Sequence, residues 1–171
     1  MKKIFLLSLF TILLTFSSYS QTSKWGVSVT HEFTKIEASA FGITEKEDLG
    51  VTNLNVHYSI LSWASDFQIG PLVAMRFYSL DGESGSDFQL GLNLGYNFSK
   101  SFAIVMDTYK VFDDIDDHSI FVFKPALEIT SKKGSLAGQL GYAKYSYGGS
   151  YSKQFDTFKA GGLLVGLKYK F

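Results

Sequence analysis

The chain has 171 residues, with 16 Lys and Arg against 16 Asp and Glu, 16 Gly, only two Pro and no Cys. A balanced charge excludes a strongly basic nucleic-acid binder. The lack of Cys excludes disulfide staples, thiolate metal sites, a Cys nucleophile and any lipid anchor that needs an acylated Cys.

Residues 1–20 form the first predicted element. Lys2 and Lys3 precede an apolar run from Ile4 to Phe16, and Ser18 and Ser20 are the small residues before a cut at Gln21. The run is shorter than the roughly 20 residues of a membrane-spanning helix. We therefore expect a cleaved signal peptide at 1–20 and one exported domain at 21–171. Removing Lys2 and Lys3 leaves 14 basic residues against 16 acidic ones, a formal net charge of −2.

Period-two alternation then recurs along the chain. The first run sets Trp25, Val27, Val29 and Phe33 against Gly26, Ser28, Thr30 and Glu32. The second sets Leu54, Val56, Tyr58 and Ile60 against Asn53, Asn55, His57 and Ser59. In the third, Phe67, Ile69, Val73, Met75 and Phe77 oppose Gln68, Gly70, Ala74 and Arg76. The fourth is clearest, with Leu90, Leu92, Leu94, Tyr96 and Phe98 opposite Gln89, Gly91, Asn93, Gly95 and Asn97.

Four more runs follow. Phe102, Ile104 and Met106 oppose Ala103 and Asp107; Phe121, Phe123, Leu127 and Ile129 oppose Lys124, Ala126 and Glu128. Leu136, Leu140 and Tyr142 oppose Gln139, Gly141 and Ala143. In the last, Val165, Leu167, Tyr169 and Phe171 oppose Gly166, Lys168 and Lys170. About eight strands of roughly 10 residues each have the length that crosses a bilayer at a tilt.

The connectors alternate between long and short, as expected for external loops and tight periplasmic turns. The long ones, beginning with the stretch Thr34–Gly50, concentrate the acidic residues, including Asp87 and the cluster Asp113, Asp114, Asp116 and Asp117. The short ones carry Lys100, Lys132 and Lys133. Aromatic residues bunch towards both ends of the runs, like interfacial girdles.

These features predict an all-β fold, an eight-stranded antiparallel up-and-down transmembrane barrel. Its apolar face turns outward and its polar face lines a narrow lumen closed by side chains. By parity, Glu32, Arg76, Asp107, Lys124, Glu128 and Lys168 share that lumen, and Arg76 is expected to reach Glu32, Asp107 or Glu128. Pro71 and Pro125 fall within strands and are expected at bulges. His31 lands on the outer face, tolerable only near headgroup level.

The closing pattern, Gly166 followed by Tyr169 and Phe171, resembles the C-terminal signal of bacterial outer-membrane barrels. Leu164 departs from that pattern, which prefers a polar residue there. The domain resembles the small eight-stranded barrels of the OmpX and OmpA type, and the signal and the Ile69–Pro71 stretch resemble barrel proteins of the Bacteroidetes. The resemblance implies recognition by the barrel-assembly machinery, a place in the outer membrane among lipid and lipopolysaccharide, and a monomer with neither cofactor nor nucleic-acid partner.

Some barrels of this size are lipid A palmitoyltransferases or deacylases, which implies a His with a Ser and an acidic partner. His57 shares the lumen parity with Ser59 and could meet Asp107 or Glu128, but a hydrogen-bonded interior His is the simpler expectation. His118 sits in the acidic run, which lacks the spacing and Gly of a calcium loop. No enzyme motif emerges. The expected function is non-enzymatic: surface structure, binding or adhesion through acidic loops. The alternatives are a lipid A-modifying enzyme and a soluble periplasmic carrier of lipocalin type.

Overall fold

The structure is a computed structural model that describes residues 24–41, 43–61, 66–80, 83–111, 118–149 and 157–171. Eight strands follow one another: β1 (Trp25–Ala40), β2 (Ile43–Tyr58), β3 (Phe67–Leu80), β4 (Glu83–Asn97), β5 (Phe102–Val111), β6 (His118–Thr130), β7 (Leu136–Gly149) and β8 (Thr157–Lys170). Each pairs antiparallel with the next, and β8 closes on β1, giving an up-and-down closed barrel. Closure leaves no edge strand within the barrel wall. The expected signal peptide and the acidic run Asp113–Asp117 lie outside the described residues.

The alternation decides which way each residue points. On β1, Ser28, Thr30, Glu32 and Thr34 are buried, while Trp25, Val29 and Phe33 are exposed. The same inversion holds around the barrel, with Leu92, Ile104, Leu127, Leu140 and Leu167 exposed and Asn53, Gln89, Asn93 and Gln139 buried. The interior also holds apolar residues. One cluster includes Leu72, Val122, Tyr109 and Tyr145, and a second joins Ala103, Val105, Ala126 and Leu164. Leu164 thus departs from the polar preference at that position because its neighbours inside are themselves apolar.

Two expectations are corrected. First, the stretch Thr34–Gly50 is no irregular loop. β1 and β2 pair without interruption from Trp25↔Tyr58 to Ala40↔Ile43, forming a hairpin whose tip includes Phe41 with φ 53°. Cross-strand neighbours there are Lys35↔Asp48 and Glu37↔Lys46. On the β1 half, Ile36, Ala38 and Ala40 continue the inner face against Lys35, Glu37 and Ser39, but these apolar residues are mostly small and the β2 half, 44–48, is polar on both faces, so the alternation is weak; opposite-charge pairs support the ladder. β3 and β4 likewise pair out to Leu80↔Glu83.

Second, neither proline sits at a bulge. Pro71 opposes Leu92 in an unshifted β3–β4 register, while the β2–β3 ladder ends beside it at His57↔Leu72. Pro125 opposes Met106 in an unshifted β5–β6 register; the β6–β7 ladder skips from Phe123↔Lys144 to Ala126↔Gly141 and resumes unchanged. A strand residue's N–H points to one neighbour only, so its loss interrupts one ladder and spares the other.

Tight curvature places specific demands on glycine. A Cβ built on Gly70 would collide with the Tyr58 carbonyl oxygen, and one on Gly162 with that of Phe33. Both positions face inward, where neighbouring backbones approach most closely.

Candidate functional site: the polar lumen

The lumen holds a stacked set of buried charges. Near mid-barrel, Lys124 Nζ lies 2.6 Å from Glu32 Oε1. The same carboxylate accepts from Asn53 Nδ2 at 2.6 Å and from the Tyr145 hydroxyl at 2.5 Å. The Lys124 ammonium also stands 4.3 Å from the centre of the Tyr109 ring. Glu32 therefore has an ammonium, an amide and a hydroxyl around it, the complement that makes a buried carboxylate tolerable.

Towards the short-turn end, Glu128 takes two lysines. Lys170 Nζ lies 2.5 Å from Oε1 and Lys168 Nζ 3.5 Å from Oε2. Gln139 Nε2 donates to Oε2 at 3.0 Å. Lys170 was not among the lumen residues inferred from sequence, although its parity with Lys168 pointed there.

Asp107 sits between the two groups without an ion pair as close. Asn93 Nδ2 donates to it at 2.5 Å, and the Tyr109 hydroxyl lies 3.3 Å from Asp107 and 3.2 Å from Asn55 Oδ1. From Asn55 the chain runs to Ser28 Oγ at 2.9 Å and on to His57 Nε2 at 2.8 Å. The partner of His57 is thus Ser28 on β1, rather than Ser59 with Asp107 or Glu128. Both residues are buried, at 0% and 1% exposure, so no substrate-sized molecule touches them in this arrangement.

At the loop end, Arg76 meets Asp87 rather than Glu32, Asp107 or Glu128. Its Nε donates at 2.8 Å, and Nη2 contacts the same oxygen. The two residues are direct cross-strand partners in the β3–β4 hairpin. Asp87 read as a connector residue because the strand alternation became visible only from Phe88 onward. Among the described residues, and counting Asp87 and Lys170, the paired or hydrogen-bonded charges inside the wall are four carboxylates (Glu32, Asp87, Asp107 and Glu128) and four cations (Arg76, Lys124, Lys168 and Lys170).

The outer wall is opposite in character. Aromatic pairs sit near the short turns: Trp25 with Tyr58 at 4.9 Å, Phe67 with Tyr96 at 5.2 Å, and Tyr169 with Phe171 at 5.0 Å between ring centres. Towards the loops stand exposed Phe33, Phe77, Phe88, Phe121, Phe123 and Tyr142. His31 hydrogen-bonds Thr52 at 2.9 Å and packs edge-on against Phe33. Above this level the Lys46 ammonium, 2.9 Å from Glu37, holds that carboxyl below the usual carboxylate range. Among the described residues, no group of three or more His, Asp or Glu is placed to hold a metal ion.

A closed eight-stranded barrel with a polar inside and an apolar, aromatic-ringed outside has close structural counterparts. The attachment invasion locus protein Ail of Yersinia pestis superposes with a TM-score of 0.54 at 9% identity, covering 88% of this chain and 100% of Ail. Neisserial surface protein A superposes at 0.52 with 14% identity, covering 89% of this chain and 100% of that protein. The fold is that of the small outer-membrane barrels. No protein-family model and no curated protein matches the sequence. At such identities the likeness of these outer-membrane barrels is one of fold alone.

Proposed function

We propose that this protein is a non-enzymatic integral barrel of the bacterial outer membrane, exported by the signal at 1–20. Its lumen is plugged, and its loop-side hairpins and acidic loops serve surface structure, binding or adhesion. The observation that carries this reading is the inverted polarity. Glu32, Glu128 and Lys168 are 0% exposed inside, whereas Phe33, Phe67 and Leu167 are about three-fifths exposed outside, at 57%, 61% and 62%. Water would not sustain so large an apolar wall on a monomer. A lipid bilayer would solvate it, and a closed barrel satisfies the backbone within lipid. A lipocalin-like carrier needs the opposite arrangement, with apolar residues lining its cavity.

Adhesion is favoured among surface roles by the fold shared with Ail, whose name records attachment and invasion. For a lipid A-modifying enzyme, the pair Ser28–His57 is too deeply enclosed to serve. Gly166, Tyr169 and Phe171, on the strand that closes against β1, supply the assembly signal in this reading. The test is a loop-tagged surface-exposure assay in intact cells, paired with lipid A profiles of strains with and without the gene. Surface labelling with an unchanged lipid A profile supports the proposal. A labelled tag only after lysis, or an altered acylation pattern, would overturn it.

A further inference from the structure

A shallow groove of about 490 Å³ interrupts the apolar outer wall across β1–β4. It is lined by His31, Gly50, Thr52, Ser79, Ser84 and Ser86, with Phe77 at its side. Cross-strand register brings these residues together. One outward row reads His31, Thr52, Phe77 and Ser86, and the next reads Phe33, Gly50, Ser79 and Ser84.

Two features of the groove have no explanation inside the chain. The first is Gly50. Its φ lies outside the left-handed region, and a Cβ built there meets only His31 Cε1, at an ordinary 3.9 Å. Neither a turn nor the curvature requires glycine here, in contrast to Gly70 and Gly162. Such a glycine within a strand marks close approach by another molecule. Phe33, its cross-strand neighbour, leaves the gap open. Its ring packs edge-on against His31, with centres 4.6 Å apart, and stays 57% exposed.

The second feature is His31 itself, a polar ring on an apolar wall. Its Nδ1 is engaged by the Thr52 hydroxyl at 2.9 Å. Its Cε1 borders the gap over Gly50, so the adjoining Nε2 opens on the groove. Further towards the loops the outward face carries both signs, Lys35 opposite Asp48 and Glu37 opposite Lys46. A level with both signs does not repel a copy of itself.

We infer that this groove seats a second copy of the chain, giving a side-by-side dimer in the membrane. Two barrels inserted in the same orientation are related by a twofold axis along the membrane normal, so one patch meets itself. An axis passing between Phe33 and Gly50 sets each Phe33 ring into the other copy's gap. It also brings each His31 Nε2 to hydroxyls across the contact. Between membrane-spanning segments, small residues permit close approach and polar groups hold it, as helix pairs show. A phosphate headgroup is a poor occupant, because neither Lys nor Arg lines the groove. The dimer departs from the monomer that resemblance to small barrels implies, and it rests on the membrane reading above.

The chain has no Cys, so Asp66→Cys, exposed at the turn before β3, supplies a single labelling site. The mature protein carrying donor or acceptor dye there is refolded into phosphatidylcholine vesicles, with insertion read by the heat-modifiable gel shift. Energy transfer is measured as the protein-to-lipid ratio is lowered. Protein with no other change should follow a dimer isotherm. Gly50→Leu, which fills the gap, and Phe33→Ala, which removes the ring, should each weaken association about tenfold. Gly138→Leu, an outward glycine between Ile129 and Leu167, should leave it unchanged. Phe33→Gly with Gly50→Phe exchanges ring and gap, and should restore association. Transfer no greater than random proximity would overturn the inference, and is the result expected if lipid fills the groove instead. An equal loss in Gly138→Leu would overturn it as well. Failure to insert would overturn the membrane reading itself, a separate result.

Discussion

At the scale of single residues, the lumen depends on groups whose removal strands a partner. Lys124→Met leaves the Glu32 carboxylate buried with only Asn53 and Tyr145 to satisfy it. We expect a loss of about 3–5 kcal/mol in reversible folding into lipid, with the double variant Lys124→Met, Glu32→Leu less destabilised than the single one. A double variant as unstable as the single would show that packing, rather than a stranded charge, sets the cost. Arg76→Met should act more mildly, because Arg76 and Asp87 keep 11% and 16% side-chain exposure and some solvent. Glycine supplies a second residue-scale test. Gly70→Ala and Gly162→Ala drive a methyl group into a neighbouring carbonyl, whereas Gly138→Ala meets nothing within 4 Å. Folded yield should fall for the first two and hold for the third. Equal yields would mean that the barrel curvature relaxes without cost.

At the scale of strands, each has two solvents and a residue's parity decides which it meets. Leu92 is 51% exposed on β4, and its neighbour Asn93 is buried against Asp107. Leu92→Arg should destabilise the protein in lipid by about 2–4 kcal/mol if it lies near the bilayer midplane. Measured by urea titration in vesicles, the same change in a detergent micelle with a looser apolar phase should cost less. A Leu92→Arg protein as stable as wild type in both would place that face outside lipid. Parity also explains what was legible in advance and what was not. Tyr109 and Tyr145 point inward, in step with Asp107 and Ala143, yet aromatic residues near strand ends read naturally as girdle. In the β1–β2 extension the alternation of Ile36, Ala38 and Ala40 with Lys35, Glu37 and Ser39 is carried by mostly small residues, and 44–48 is polar throughout, so the observed pairing is what reveals the second half as strand.

At the scale of the whole molecule, the four carboxylates and four cations named above, among the described residues, share the interior with Leu72, Val105, Val122 and Leu164. We expect planar-bilayer recordings of the wild type to show no stable, large conductance, since ions crossing this interior must displace paired charges. A sustained large conductance would refute a plugged lumen. Tyr109→Ala, which removes a ring standing between Lys124 and Asp107, should be the variant in which brief openings first appear.

Two-residue periodicity, recurring in eight runs between 25 and 171, together with the rhythm of the connectors, indicated the strand number and placed Glu32, Arg76, Asp107, Lys124, Glu128 and Lys168 on the polar faces, because in a strand the side chain's direction is a local property. Which of those charges meet was decided only by the closed sheet. Register between strands distant in sequence, such as β1 with β8 or Tyr145 with Glu32, depends on how far each hairpin extends before it turns. The hairpin lengths set Asp87 opposite Arg76, the closure brought Lys170 to Glu128, and the curvature made Gly70 and Gly162 indispensable. These are relations across the barrel, and no local pattern along the chain encodes them.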